Sequence, residues 1–180
     1  MDITPIQGLG LALLTVAAME AFAYAAHRWL MHGPMWFWHA SHHASRTGHF
    51  ERNDRFALVF GLASCLPIFM GTQLRLGTAW TWGGVGIIVY GMIYFLFHDV
   101  LVHRRVAHHI VPRSRYLRRI VQAHRLHHAV GTRDGTVSFG FLYAPPIPVL
   151  VATMKHAPGL RVPVSTALST APRAAAETQG

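Results

Sequence analysis

Apolar residues run almost unbroken through three stretches of the chain, residues 8–26, 56–74 and 79–97. Nineteen residues at about 1.5 Å rise per residue cover a bilayer core of about 30 Å, so each stretch is long enough to cross a membrane as a helix. Only the first carries a charge, Glu20. The second and third are joined by a short polar link holding Arg75 and Gly77, which predicts a tight helical hairpin. A fourth apolar stretch, residues 141–154, is interrupted by Pro145, Pro146 and Pro148 and reads as an interfacial or docked segment. The fold class predicted is therefore all-α: an integral-membrane helical bundle with three spans, four if 141–154 also crosses. Residues 1–157 form a single membrane domain, and residues 158–180, rich in Ala, Ser, Thr and Pro, read as a disordered tail.

Composition agrees with that pattern, since 52% of the 180 residues are hydrophobic and only 13% charged. A net charge of +9 would suggest nucleic acid in a polar chain, but here the bases lie between apolar spans, where a cytoplasmic membrane face explains them better. Arg28, Arg46, Arg52 and Arg55 follow the first span, eight arginines from Arg104 to Arg133 follow the third, and Arg75 alone lies on the other side. The run before Arg28 lacks the positive leading region of a secretory signal, and Asp2 precedes it, which favours an uncleaved anchor with its amino terminus outside. Cys65 has no partner, so disulfides and cysteine-based metal or iron–sulfur sites are excluded.

Histidine carries the chemistry. Ten of the fourteen form two matching modules: His27-x4-His32 followed by His39-x2-His42-His43, and His98-x4-His103 followed by His124-x2-His127-His128. Each module directly follows a predicted span. On an α-helix, positions i, i+3 and i+4 share a face, so each triplet is expected to aim at one point. The x4 pairs fall about 140° apart on an α-helix. They therefore bridge different ions, or the helix stops between them, as Gly33-Pro34 after His32 suggests. Ten imidazoles are too many for one ion and natural for two, although imidazole suits Zn, Cu, Fe and Ni alike. His49, His108, His109 and His156 read as ordinary core or surface histidines. A haem bundle, the best non-enzymatic competitor as a membrane metal- or haem-binding protein, has no use for the adjacent pairs His42-His43 and His127-His128.

These residues resemble the fatty-acid hydroxylase superfamily, and most closely its bacterial beta-carotene 3-hydroxylases. The resemblance rests on Ala26-His27-Arg28 through Met31-His32-Gly33, Trp38-His39 through Ser41-His42-His43, and Phe50-Glu51 through Asn53-Asp54. It continues with Phe97-His98-Asp99 through Leu101-Val102-His103, Gln122-Ala123-His124-Arg125 through His127-His128-Ala129, and Ser138 through Pro146. It implies a mono-oxygenase of the bacterial cytoplasmic membrane with two non-haem iron ions held by the ten histidines on the cytoplasmic side. It also implies O2 as co-substrate and electrons from reduced ferredoxin, fed by NAD(P)H through a reductase. The substrate implied is a carotenoid, hydroxylated at carbon 3 of each beta-ionone ring from beta-carotene through cryptoxanthin to zeaxanthin, with 4-keto rings leading toward astaxanthin. A sterol or fatty-acyl hydroxylase or desaturase of the same superfamily is the alternative.

Two ferrous ions among neutral imidazoles leave about four positive charges to offset, and ligating histidines usually donate their second N–H to a carboxylate or carbonyl. Glu20, seven residues before His27 and on nearly the same helical face, is one candidate for this support, with Asp54 and Asp99 as the others. The bland alternatives are a bundle-internal Glu20, an N-cap Asp54 and an Asp99 paired with arginine. A bilayer-dissolved substrate needs a greasy cleft between spans, for which Phe22, Tyr24, Tyr94, Phe95 and Phe97 are candidates beside ordinary packing roles. The run Arg104, Arg105, Arg113, Arg115, Arg118 and Arg119 suits anionic lipid headgroups, and secondarily an acidic ferredoxin.

Overall fold

The structure, a computed structural model, describes residues 1–44, 48, 50–154, 157–161 and 163–168. Its elements are helices: α1 Pro5–Ala25, α2 Trp36–His43, α3 Asp54–Thr72, α4 Thr78–Tyr94, α5 Arg115–His128, α6 Ile147–Met154 and α7 Val164–Leu168. Both α1 and α4 run on into π-helical turns, Ala26–Met31 and Phe95–Val102. With these extensions, three helices among the described residues are long and apolar enough to cross a membrane: Pro5–Met31, Asp54–Thr72 and Thr78–Val102.

α1 begins where Thr4 and Gln7 cap each other, the Gln7 amide donating to Thr4 Oγ1 and Gln7 Oε1 accepting from the Thr4 amide at 2.9 Å. α4 packs along both α1 and α3. Close approach is possible because Gly86 of α4 sits against Ala12 and Thr15, and Gly84 against Ile68. The outward faces stay apolar, with Leu9, Leu13, Leu62, Leu66, Phe69 and Met92 exposed, as suits helices surrounded by lipid. At one end the Met1 amino group donates to Leu76 O at 2.9 Å and the Thr78 amide to Asp2 Oδ1 at 3.0 Å, tying the chain start to the α3–α4 turn. Both π turns lie at the opposite end.

A small core covers that opposite end. Ile120, Ala123 and Leu126 of α5 pack with Val137, Ala144, Leu150, Met154 and Ala167. The eight-residue α6 is too short to span, and its buried Leu150 and Met154 dock it against α5, which leaves three span-capable helices among the described residues. Residues 158–161 and 163–168, the described part of the expected tail, make contacts with the bundle. Leu160 bridges to Val130, Arg161 donates to His43 O at 2.6 Å and Gly131 O at 3.1 Å, and α7 packs on α5. Residues 162 and 169–180 of that segment lie outside the described set.

Candidate metal centre

The ten histidines of the two modules converge at the π-turn end of the bundle. Donor atoms of His27, His32, His39, His43 and His127 lie within 4.8 Å of one another, and those of His42, His98, His103 and His124 form a second such group. His128 joins the second, its Nε2 3.0 Å from His124 Nε2. The groups adjoin, with the His43 and His128 rings stacked 4.6 Å apart.

Their membership differs from the expected claws. His39 and His43 serve the first group while His42, between them, faces the second; in the other triplet His124 and His128 serve the second and His127 the first. Each module thus keeps four histidines and lends its middle one across, an internal two-fold exchange of His42 for His127. An α-helix presents i and i+4 together but turns i+3 to the other side of that line, which is enough when two centres sit side by side.

The x4 pairs are the second correction. They share a centre because the helix widens: His32 N donates to His27 O at 3.0 Å and His103 N to His98 O at 2.9 Å, both five residues back. A π turn returns position i+5 to the face of position i, where an α-helix would not.

The hydrogen bonds test whether a cation fits. Nδ1 donates to a backbone carbonyl in His27 (Phe139 O, 2.9 Å), His32 (Arg133 O, 2.8 Å), His43 (Val130 O, 2.9 Å) and His127 (Val137 O, 2.9 Å). It donates to side-chain oxygens in His39 (Asn53 Oδ1, 2.7 Å), His42 (Glu51 Oε2, 3.1 Å) and His98 (Asp99 Oδ1, 3.3 Å). A neutral imidazole with its proton on Nδ1 carries a lone pair on Nε2. Yet Nε2 faces Nε2 at 3.1 Å in His27–His39, 3.2 Å in His32–His127, 3.0 Å in His42–His98 and 3.1 Å in His43–His127. Lone pairs at that separation need a proton or a Lewis acid between them. Protons are disfavoured: burial, then the neighbouring His43 charge, holds His39 at about 2, and burial holds His43 at about 3. Burial first and repulsion from adjacent histidines second push His42, His124, His127 and His128 well below the usual imidazole range. The donor set therefore fits divalent ions that favour nitrogen.

Of the expected supporting carboxylates, Asp99 lies against His98, as above. Asp54 reaches no histidine: it accepts from Arg105 Nη1 at 2.7 Å and from the Glu51 amide at 2.9 Å, one residue inside α3 rather than at its cap. Glu20 also reaches none. Its Oε1 accepts from the amides of Phe141, Leu142 and Tyr143, and its Oε2 from Tyr90 Oη. Helical periodicity placed Glu20 on the right face but at the wrong depth, two turns from His27. Sequence reasoning passed over Glu51 and Asn53, although both lie in the Phe50-to-Asp54 motif.

Arg105 gathers Glu51, Asp54 and Asp99 within 3.3 Å, so it belongs to this network and not to a docking face. Three carboxylates and one guanidinium leave a net charge of −2 beside His42 and His98. The first centre is supported by carbonyls and an amide, the second by charge. Arg104, Arg113, Arg115 and Arg118 remain exposed. Among the other histidines His108 donates to Val100 O at 2.7 Å and His109 is exposed, while His49 and His156 fall outside the described residues.

An apolar cleft of about 610 Å³ lies beside the centres, bounded by Met19, Phe22 and Ala23 of α1, Phe60, Gly61 and Ser64 of α3, and Ile87, Tyr90 and Tyr94 of α4. A second cavity of about 30 Å³ is lined by His27, His39, His98, Asn53 and Asp99 and is large enough for a diatomic or a water. Met31, Phe56, Tyr94 and Phe141 line both. Of the five aromatics expected along the cleft, Phe22, Tyr94 and Phe95 line it. Tyr24 instead packs edge-on against Phe139, and Phe97 against the core under α5.

Such a bundle, with paired imidazole centres beside an apolar cleft, defines a membrane protein whose histidine clusters suit metal ions. Residues 12–146 match the model of the fatty acid hydroxylase family, and the chain belongs to that family. It is 46% identical to the beta-carotene hydroxylase of Pantoea ananas, over 84% of this chain and 85% of that one. Identity reaches 51% with the beta-carotene hydroxylase of Pseudescherichia vulneris, over 74% and 75% of the two chains. The chloroplastic beta-carotene 3-hydroxylase of Haematococcus lacustris is 38% identical over 83% of this chain and 46% of its own. No solved structure matches the chain.

Proposed function

We propose that this protein is a carotenoid hydroxylase of the bacterial cytoplasmic membrane that converts a ring C–H at carbon 3 of beta-ionone rings to C–OH. The balance is R–H + O2 + 2 electrons + 2 protons giving R–OH + H2O, with reduced ferredoxin as the electron source. One observation carries the reading: two largely buried imidazole centres, facing lone pair to lone pair, border a small cavity that shares Met31, Phe56, Tyr94 and Phe141 with an apolar cleft among the apolar helices.

His27, His32, His39, His43 and His127 would hold one iron, and His42, His98, His103, His124 and His128 the other. Two irons bound there would supply the oxidising power for O2 activation. The chain's part is placement: Nδ1 bonds to Phe139, Arg133, Val130 and Val137 fix the ring planes of four histidines. Glu51, Asp54 and Asp99 would offset part of the charge of ions bound there. The cleft walls admit an apolar ring and exclude water. The arginines that follow the first and third spans support a cytoplasmic side for this end.

Expression in cells that accumulate beta-carotene, with ferredoxin, its reductase and iron supplied, should yield cryptoxanthin and then zeaxanthin on chromatography. Unchanged beta-carotene, with protein in the membrane and iron bound, would sink the carotenoid reading. Hydroxylated sterol or fatty-acyl products in that experiment would identify the other branch of the family.

A further inference from the structure

Glu20 is a charged residue in an apolar helix long enough to span a membrane, and among the described residues its hydrogen bonds go to one strap of chain and one tyrosine. Its Oε1 accepts from three successive amides, Phe141 (2.9 Å), Leu142 (2.9 Å) and Tyr143 (3.1 Å), while its Oε2 accepts from Tyr90 Oη at 2.8 Å. Three amides on one oxygen make a small anion nest, and a carboxylate satisfies it better than a neutral group. The strap is shaped for this grip. Ser138 takes a left-handed conformation at φ 61°, and a Cβ on Gly140 would fall 2.8 Å from Glu20 Oε1 and 2.7 Å from Tyr143 O.

What the grip holds is Phe141. Its ring lies parallel to His27 at 5.5 Å and edge-on to Tyr94 at 4.5 Å and His98 at 5.4 Å. It lines both the cleft and the small cavity, so it stands between an apolar molecule entering from the bilayer and the two centres. Tyr90, the other partner of Glu20, lines the cleft itself. We propose that Glu20, with Tyr90, is a positioning residue: it seats Phe141 as the surface against which the substrate ring rests, and so selects which ring carbon faces the centres. This deepens the carotenoid reading and rests on it.

The test uses the full-length protein in membranes with excess reduced ferredoxin, comparing wild type with Glu20→Gln, Tyr90→Phe and Phe141→Leu. Iron per protein, kcat, KM, hydrogen peroxide released per O2 consumed and the position of the new hydroxyl are measured. Failure of the wild type to hydroxylate beta-carotene counts against the function, not against this role.

Glu20→Gln keeps the shape and loses the charge. Iron content and KM should stay within about threefold while kcat falls roughly tenfold, short of the about hundredfold that a 1 Å misplacement costs. Peroxide should rise severalfold, from O2 reduced by two electrons and two protons without attack on the ring, and hydroxyls should appear away from carbon 3. Phe141→Leu should give the same signature, and adding Glu20→Gln to it should change little more. Wild-type coupling and regiochemistry in Glu20→Gln would overturn the proposal, as would iron lost in step with activity, which would make Glu20 a support of the centre alone. If Glu20→Gln does not accumulate, Tyr90→Phe, which deletes one hydroxyl, decides by the same two readouts.

Discussion

Replacing Glu51 with glutamine tests the electrostatic difference between the two centres. Its Oε2 lies 3.1 Å from His42 Nδ1 and 3.3 Å from Arg105 Nη2, and the side chain is only 11% exposed, so solvent screens it little. Glutamine keeps an acceptor for His42 but removes the charge. A hydrogen bond to a charged group is worth about 1.5–3 kcal/mol and a neutral one about 0.5–1.5. The difference, about 1–1.5 kcal/mol, is roughly a five- to tenfold loss of metal affinity at about 1.4 kcal/mol per decade. Glu51→Ala, which leaves Nδ1 unpartnered, should approach the hundredfold end of the range for outer partners of ligating histidines. The assay is Fe(II) titration of purified apoprotein under anaerobic conditions, with Mössbauer spectra at one and two equivalents of iron. The affected site should be the one containing His42, His98, His103 and His124, leaving the carbonyl-supported site within about twofold. Superimposable titrations, or a loss confined to the site of His39 and His43, would refute the reasoning.

Because the middle histidines cross over, His42→Ala should weaken an iron bound by His98 and His124, and His127→Ala one bound by His27 and His39; Mössbauer spectra of the two iron-loaded variants should perturb opposite sites. The metal-free protein should lose stability as pH falls below about 6.5. His39 and His43 stay neutral when folded down to about 2 and 3, whereas the unfolded chain takes up their protons from 6.5 downward. Each group then costs about 1.4 kcal/mol per pH unit in that window and nothing above it, so urea midpoints at pH 5 and 7.5 should differ while those at 7.5 and 8.5 agree. Filling the cleft with Gly61→Leu should raise KM for a carotenoid at least tenfold with iron content unchanged, since Gly61 lines the cleft and faces no histidine.

The linear chain by itself determined a good deal. Three spans follow from apolar runs longer than a bilayer core, a property that needs no knowledge of neighbours. The spacing of the ten histidines announced two modules, because a repeated pattern of costly buried polar groups has little explanation in packing. What it could not settle was which histidine meets which. The ideal α-helix put His27 and His32 apart and put His39, His42 and His43 together. The folded chain reverses both, since the π turns and the side-by-side centres exist only when α1, α4, α2 and α5 are assembled. The partners of the ring nitrogens were equally hidden. Carbonyls of Val130, Arg133, Val137 and Phe139 have no side-chain signature, and their use depends on where loops fall. Glu20 makes the same point: the sequence marked it as an unusual charge in a span, and only the tertiary structure brought three amides from residues 141–143 to its side.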